Sequence, residues 1–414
     1  MTARVQGIRG MEDVLPDASA LWERLEDACR EVFHQYGYRN IRTPIVEPTA
    51  LFVRGLGEVT DIVEKEMYVF EDRNGESLAL RPEATAGIVR SAIEHNFLYN
   101  GPLRVWTTGP MFRYERPQKG RYRQFHQFDV EALGFAGPDV DAEQIVMLAR
   151  LWKALGIREV DLHVNSIGDA ADRKAHREKL VAYFERHAAV LDEDAKRRLH
   201  SNPLRILDSK NPAMQEMIEG APRLLDHLGA AAAEHFEALK VYLEDAGLAF
   251  TVNPRLVRGL DYYNRTVFEW ITPLIGAQST LAGGGRYDAL FAQLGGKDTP
   301  ACGFGMGVER VLLALQASGI AAANEPDAFV VHAGQQAERA AWRLAERLRD
   351  GGKRVVLGAG GSFKSQMKKA DASGARYALI VGDDEVAAGK VTLKPLRGEG
   401  EQRLLDLGEA LAEL

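Results

Sequence analysis

The segment Gly109 to Glu131, GPMFRYERPQKGRYRQFHQFDVE, carries the densest chemistry in the chain. Arg113, Arg116, Lys119, Arg121 and Arg123 set five positive charges against one interleaved acid, Glu115, in a protein of formal net charge −7. A phosphate-bearing ligand explains that concentration, because guanidinium groups grip phosphate oxygens bidentately and stay charged at any working pH. Nucleic acid is the other candidate. Strand period puts Arg113 and Glu115 on one face and Phe112 and Tyr114 on the other. After a polar turn over Arg116 to Gly120, a second strand places Phe125, Gln127, Asp129 and Glu131 on one face, with His126, Phe128 and Val130 opposite. Phe125 offers an aromatic plane on which a base can stack. The plain alternative for so polar a face is solvation on a surface hairpin.

A second candidate is Cys302 to Arg310, CGFGMGVER. Gly303, Gly305 and Gly307 alternate along one strand face and leave it bare, so that a flat ring can lie against the backbone. Arg310 sits at the start of an apolar helix. Three further strings combine charge, aromatic rings and glycine: LRPEAT at Leu80 to Thr85, RGLDYY at Arg258 to Tyr263, and GGGRYD at Gly283 to Asp288. Taken alone, RGLDYY reads as a turn followed by a half-buried aromatic strand.

The elements that must position these residues follow from periodicity. Leu21, Leu25, Ala28, Val32, Phe33 and Tyr36 recur at helical spacing from Ser19, with Gly37 as C-cap. Tyr38 to Pro48 is β-rich, but Pro44 and Pro48 confine it to a sheet edge that could pair with another subunit. The runs Glu66 to Asp72 and Glu76 to Leu80 flank Asn74-Gly75, a hairpin signal, and a helix follows Arg81-Pro82. Residues from about Asp169 to Gly247 turn charged, alanine-rich and helical, which reads as an insertion. Strand-like segments resume from Ala249 to Thr272 and near Leu281, so the core is discontinuous in sequence. The polar break Ala322 to Asp327 precedes a fresh α/β alternation: Ala328 to His332, Glu338 to Arg349, Arg354 to Leu357, Phe363 to Ala372 and Tyr377 to Val381.

At 414 residues, 46% apolar and 27% charged, the chain has the length and composition of a globular protein of two or three domains. Its negative charge argues against a surface that coats nucleic acid throughout. Cys29 and Cys302, the two cysteines, support neither a disulfide framework nor a cysteine-based zinc site. No apolar run approaches the ~20 residues of a membrane span and the N-terminus lacks a signal-peptide core, so the expected location is cytoplasmic.

These motifs together resemble a known family. Arg113-x-Glu115, a loop, Arg121 four residues before Phe125, and Asp129 four beyond it are similar to motif two of the class II aminoacyl-tRNA synthetases. The string RPQKGRYRQFHQ, Arg116 to Gln127, resembles the histidyl-tRNA synthetases in particular. CGFGMGVER looks like motif three, and Ser19 to Pro48 is similar to motif one, the family's dimer interface. RGLDYY resembles a signature of the histidine enzymes and LRPEAT the loop that holds the amino acid's ammonium group; GGGRYD also matches. Ala84 stands where the family often carries glycine.

The resemblance implies an antiparallel-sheet catalytic core with a helical insertion, plus a C-terminal α/β anticodon-binding domain. Its expected bounds are 1–322 for the core, with the insertion at about 169–247, then a linker at 323–327 and the anticodon-binding domain at 328–414, where Lys364, Lys368 and Lys369 form a basic patch. The implied activity is ligation of L-histidine to tRNA(His) by a homodimer, with ATP as substrate and magnesium on its outer phosphates but no dedicated protein metal cage. Arg113 and Arg258 are the implied catalytic residues, bracketing the α-phosphate. Glu83, Thr85 and Gln127 are assigned to the amine and carboxylate of histidine and Glu131 and Tyr263 to its ring, with Arg113, Arg258, Tyr262 and Tyr287 completing that pocket. ATP falls to Arg113, Glu115, Arg121, Phe125 and Arg310, and tRNA to Arg116, Gln118, Lys119 and Arg123. Two rivals stand beside this reading. A regulatory paralogue that serves ATP phosphoribosyltransferase in histidine biosynthesis resembles the core but lacks the anticodon domain and usually parts of the active-site set, whereas Arg113, Arg258, Arg310 and a C-terminal domain are present here. A protein that only binds RNA would not need Glu83, Gln127 and Glu131.

Overall fold

The computed structural model describes residues 4–57, 60–207, 209, 211–260, 262–322 and 324–414. Asp261 of RGLDYY and Ala323 of the expected linker lie outside the described residues. The chain forms two compact units, Met1–Ala321 and Ala322–Leu414.

In the first unit the strands are β1 (Arg39–Asn40), β2 (Val46–Pro48), β3 (Tyr68–Glu71), β4 (Ser77–Leu80), β5 (Leu103–Phe112), β6 (Gln124–Leu133), β7 (Asp161–Ser166), β8 (Thr251–Val252), β9 (Asn264–Ile271), β10 (Thr280–Arg286) and β11 (Ala301–Gly307). Eight of them make one sheet in the order β1-β5-β6-β11-β10-β9-β7-β8, and β2-β4-β3 make a small second sheet. From β5 to β7 every pairing in the large sheet is antiparallel; only the two-residue strands β1 and β8 add in parallel, at the edges. The antiparallel core expected from the sequence is therefore present. Pro44 and Pro48 act as expected, splitting Tyr38 to Pro48 into two short strands, one at the edge of each sheet.

One face of the sheet is closed by helix α1 (Pro16–Gln35), which starts on a proline at its first turn and buries Leu21, Leu25, Cys29, Val32 and Phe33. Phe33 lies 5.9 Å from Phe128 and 6.3 Å from Phe304, ring centre to ring centre. These are the apolar sides of β6 and β11. The opposite face carries the polar positions, and around it pack α2 (Thr49–Leu56) and α3 (Thr85–Glu94) through Phe52, Leu56, Ile88 and Val89. Then come α4 (Pro138–Leu155), α5 (Ala170–Arg186), α6 (Glu193–Arg198), α7 (Gln215–Glu219), α8 (Ala230–Asp245), α9 (Leu290–Gln293) and α10 (Val308–Ala317). The helical stretch read as one insertion divides. Leu180, Phe184, Met214, Met217 and their neighbours form a small core of their own, whereas α8 lies along α4, where His235 bonds Asp141 at 2.8 Å.

Two strand expectations need correction. Arg113 and Glu115 do not continue β5, which ends at Phe112; the Arg113 amide donates to the Arg123 carbonyl at 2.9 Å, and the chain turns, with Glu115 N–H donating to Arg113 at 2.8 Å. The strand-like segment from Ala249 to Thr272 is interrupted as well. After Val252 the chain leaves the sheet at Pro254, which offers no ladder donor, and rejoins it at Asn264.

The second unit holds β12 (Ala328–Ala333), β13 (Val355–Leu357), β14 (Tyr377–Gly382), β15 (Lys390–Pro395) and β16 (Arg403–Asp406) in the order β13-β12-β14-β15-β16. Helix α11 (Gln335–Asp350) packs Ala337, Ala341, Leu344 and Leu348 on Val330 and Leu379. The remaining helices are α12 (Phe363–Ala372), α13 (Asp383–Ala388) and α14 (Leu407–Glu413). The five elements read from sequence up to β14 are present; α13, β15, β16 and α14 were not foreseen. Lys364, Lys368 and Lys369 are exposed on α12. Among the described residues no helix is long and apolar enough to cross a membrane.

Candidate active site

The register of β6 on β11 builds the floor: Gln127 faces Gly307, Asp129 faces Gly305 and Glu131 faces Gly303. Each acidic or amide side chain lies over the bare backbone of the next strand. A Cβ on Gly303 would stand 1.5 Å from Glu131 Oε2, and one on Gly305 would stand 3.1 Å from both Asp129 Oδ1 and Gln127 Nε2. The glycine face thus admits carboxylates as well as a flat ring. Asp129 and Glu131 are 3% and 1% exposed, which rules out a solvated hairpin face.

Around Glu131 the polar groups converge. Thr85 Oγ1 donates to Glu131 Oε1 at 2.6 Å, and the Tyr287 hydroxyl donates to the other carboxylate oxygen. Glu83 caps α3 by accepting the amides of Thr85 (2.8 Å) and Ala86 (2.9 Å), with the helix dipole favouring its charge. Ala84 holds φ −105°, a conformation open to any residue, so glycine is not needed there. Tyr262 and Tyr263 are buried 4.7 Å apart, and Tyr262 reaches 5.5 Å from Tyr287. Burial pushes the Glu131 carboxyl well above the usual range against the pull of Thr85 and Tyr287, and raises Glu83 more modestly. Asp129 is pushed up to about 8, by burial first and by Glu83 second, with Arg81 and Arg113 opposing. The result is a dry pocket rich in proton acceptors whose charge is costly until a donor arrives.

Next to it lies a cleft of about 230 Å³ lined by Arg113, Arg121, Phe125, Gln127, Arg258, Arg310, Gly305 and Gly307. Arg113 donates to the Pro82 carbonyl at 2.9 Å and lies 5.2 Å over the Phe125 ring. Arg121 pairs with Glu115 and Arg258 with Glu269. A Cβ on Gly283 would meet Arg258 Nη1 at 2.6 Å, so the glycine run of β10 makes room for that guanidinium. Arg310 donates to the carbonyls of Gly120 and Thr280, each at 3.0 Å. Burial, then the charges of Arg113, Arg121 and Arg258, bring Arg310 down to about 10. A buried arginine whose charge is opposed by three others around one cleft marks a site suited to a polyanion.

At the mouth of the cleft, Arg116, Gln118 and Lys119 are exposed on the loop between β5 and β6, which is closed by backbone bonds between Gln118 and Arg121. Arg123 is engaged inside the loop, donating to the Glu115 carbonyl at 3.2 Å and lying 4.0 Å over Tyr114. Residues 10–311 match the family described as Histidyl-tRNA synthetase and residues 327–414 the family described as Anticodon binding domain.

The chain belongs to the histidyl-tRNA synthetase family.

It is 61% identical over 417 residues to a curated relative from Methylobacillus flagellatus named Histidine–tRNA ligase, covering 100% of both chains. It is 60% identical to the protein of that name from Thiobacillus denitrificans, covering 100% of this chain and 99% of that one. The solved apo histidyl-tRNA synthetase of S. aureus is similar over 99% of each chain, with 37% identity and a TM-score of 0.82.

Within this synthetase fold the structure brings Glu83, Thr85, Glu131, Tyr262, Tyr263 and Tyr287 into one buried cluster and Arg113, Glu115, Arg121, Phe125, Gln127, Arg258 and Arg310 onto the adjoining cleft. Two charged residues escaped the sequence reading. Buried Arg81 donates to the Pro110 carbonyl (3.0 Å) and the Thr43 carbonyl (3.2 Å) beneath the pocket, and its place in LRPEAT was the available signal. Glu269, the partner of Arg258, sits opposite Gly283, a pairing set by strand register that a single sequence does not display.

Proposed function

We propose that the chain is a class II histidine–tRNA ligase that activates L-histidine with ATP and transfers it to the 3′ end of tRNA(His). What carries the reading is the side-by-side placement of the acceptor-rich pocket at Glu131 and the arginine-lined cleft, with Arg113 and Arg258 beside both. Glu131 and Tyr263 meet the imidazole, while Glu83, Thr85 and Gln127 meet the amine and carboxylate, helped by Tyr262 and Tyr287. The base of ATP lies over the bare Gly305 and Gly307 backbone between Phe125 and Arg310, with Arg121 and Glu115 beside the phosphates.

In activation a carboxylate oxygen of histidine attacks the α-phosphorus, the new P–O bond forms, and pyrophosphate leaves with the electron pair of the broken bond. No side chain acts as nucleophile. Arg113 and Arg258 position the reactants and offset charge that builds on the α-phosphate oxygens. In transfer a ribose hydroxyl of the tRNA end attacks the acyl carbon, the ester forms, and AMP departs with the electrons of the acyl–phosphate bond while the hydroxyl proton passes to a phosphate oxygen of the leaving group. The exposed Arg116, Gln118 and Lys119 steer the acceptor end through phosphate contacts, with Arg123 holding their loop.

Magnesium fits as a companion of ATP. Among the described residues no group of three His, Cys, Asp or Glu side chains could cage a metal ion. The carboxylates on the cleft, Glu115, Glu269 and Glu309, are paired with Arg121, Arg258 and His126. The ion would be held chiefly by phosphate oxygens, whose charge it would offset. The domain division at 1–322, 323–327 and 328–414, a homodimer through α1 to β2, and work in the cytoplasm complete the proposal. Exposed Ile45 and Val46, just before and at the start of edge strand β2, support the dimer. The presence of Arg113, Arg258, Arg310 and the anticodon-binding unit favours the ligase over the regulatory paralogue. Charging of a tRNA(His) transcript with labelled histidine and ATP tests the function; acid-stable label must accumulate on that tRNA, and its absence at high enzyme concentration contradicts the proposal.

A further inference from the structure

Two buried acceptors on the pocket floor lack any hydrogen-bond partner: Gln127 Oε1 and Asp129 Oδ2. Both side chains stand over one glycine, since a Cβ on Gly305 would meet Gln127 Nε2 and Asp129 Oδ1 at 3.1 Å each. Asp129 is 3% exposed, opposite Thr107 on β5 and Gly305 on β11. Glu131, two residues along the same face of β6, differs: both of its carboxylate oxygens are held, by Thr85 and Tyr287. Buried polar atoms in folded proteins are satisfied almost without exception, so adjacent orphaned acceptors mark a place built for a donor. The two guanidinium neighbours of Asp129 are engaged elsewhere. Arg81 donates from Nε and Nη1 to the carbonyls of Pro110 and Thr43, and Arg113 donates from Nε to that of Pro82.

The surrounding charges say which donor fits. Burial and Glu83, at the start of α3, act against a charge on Asp129, while Arg81 and Arg113 favour it. Glu131 is in turn raised partly by Asp129 and Glu83. The flanking strands add no charge at this point, only Thr107 and Gly305. Neighbouring carboxyls in a dry site cannot ionise together cheaply, and a cation set between them reverses that balance. The ammonium group of an amino acid brings one positive charge and three N–H donors, enough for Glu83, Gln127 Oε1 and Asp129 Oδ2 at once.

We infer that Asp129 is a further specificity-determining residue, accepting a hydrogen bond from the ammonium group of histidine beside Glu83 and Gln127, an assignment that rests on the ligase function proposed above. A consequence follows for protons. Asp129, pushed up to about 8, carries a proton near neutral pH; the arriving ammonium favours the carboxylate, so the O–H proton passes to the buffer as the N–H···O bond forms. The test compares the full chain with its Asp129→Asn variant, which keeps the volume and cannot ionise. In histidine-dependent ATP–pyrophosphate exchange the variant's KM for histidine rises roughly ten-fold or more, while its KM for ATP stays within about two-fold. Imidazolepropionate, the histidine analogue without an ammonium group, inhibits both proteins with constants within about two-fold, so the preference for histidine over the analogue shrinks by the same roughly ten-fold factor. Calorimetric titration at about pH 7, in buffers of different ionisation enthalpy, shows histidine releasing up to about one proton more from the wild type than from the variant. If Asp129→Asn fails to fold, the wild type alone decides, by releasing more protons with histidine than with imidazolepropionate. An unchanged histidine KM, an equal loss of affinity for histidine and the analogue, or equal proton release in each comparison overturns the assignment. Absence of exchange in the wild type itself would strike the ligase reading instead.

Discussion

Burial sets Glu131 and Asp129 apart from ordinary carboxylates, raising both in the folded protein. Glu131 already accepts two hydroxyl bonds, from Thr85 and Tyr287, and burial makes its charge expensive, so an imidazole N–H aimed at it is strongly favoured over an apolar ring. Glu131→Gln keeps the volume and loses the charge; the KM for histidine in ATP–pyrophosphate exchange should rise by roughly 10- to 100-fold, with a smaller change in KM for ATP. An unchanged histidine KM would remove Glu131 from ring recognition. Asp129 makes a pH prediction whose sign is fixed by linkage. Its pKa is about 8 in the folded protein against 3.8 for the ordinary group. Between those values the native state holds a proton that the unfolded state has lost, so the stability tied to neutral Asp129 is present below about pH 4 and is lost as pH rises towards 8. The limiting slope for one proton is about 1.4 kcal/mol per pH unit. Asp129→Asn should therefore melt at or above the wild type near pH 8, and the advantage should vanish near pH 4. Parallel melting curves across that range would show that Asp129 is not the group responsible.

The elements convert these residues into a site because two glycine-bearing strands, β10 and β11, lie where flanking side chains need room. Gly303→Ala would drive Cβ into the Glu131 carboxylate, and about 1–3 kcal/mol of stability should be lost together with selectivity for histidine. Gly305→Ala meets Asp129 and Gln127 at a bearable 3.1 Å yet intrudes on the cleft; it should fold and raise the KM for ATP by about ten-fold or more, as thermal melting and exchange kinetics will show. Equal effects from both substitutions would contradict the separate duties of the two glycines. The alternation of β6 was legible in the sequence because period 2 sorts Gln127, Asp129 and Glu131 from Phe128 and Val130 whatever surrounds them. The end of β5 was not: Arg113 and Glu115 keep the alternating pattern while the backbone has already turned, held by bonds to Arg123 that span the loop. The pairing of Arg258 with Glu269 and the separation of α8 from the small helical cluster depend on register and packing between distant segments, which local pattern does not encode.

At the scale of the molecule, each unit has its own core, Phe52, Ile88, Met111 and neighbours in the first, Val330, Leu344, Leu379 and neighbours in the second. A chain ending at Ala321 should then fold and keep histidine-dependent exchange, while charging at low tRNA concentration drops by at least about ten-fold because one of two linked binding sites is gone. Charging by the shortened chain as efficient as by the whole would deny the second unit a part in tRNA binding. The central claim is that the acceptor pocket and the arginine cleft together activate histidine, and it is tested most directly by ATP–pyrophosphate exchange measured with each of the twenty amino acids in turn. The account predicts exchange with histidine and, for every other amino acid, values of kcat/KM lower by ~10⁴ or more, as expected for a pocket built on hydrogen bonds. Exchange absent with histidine, or comparable with another amino acid, would contradict it.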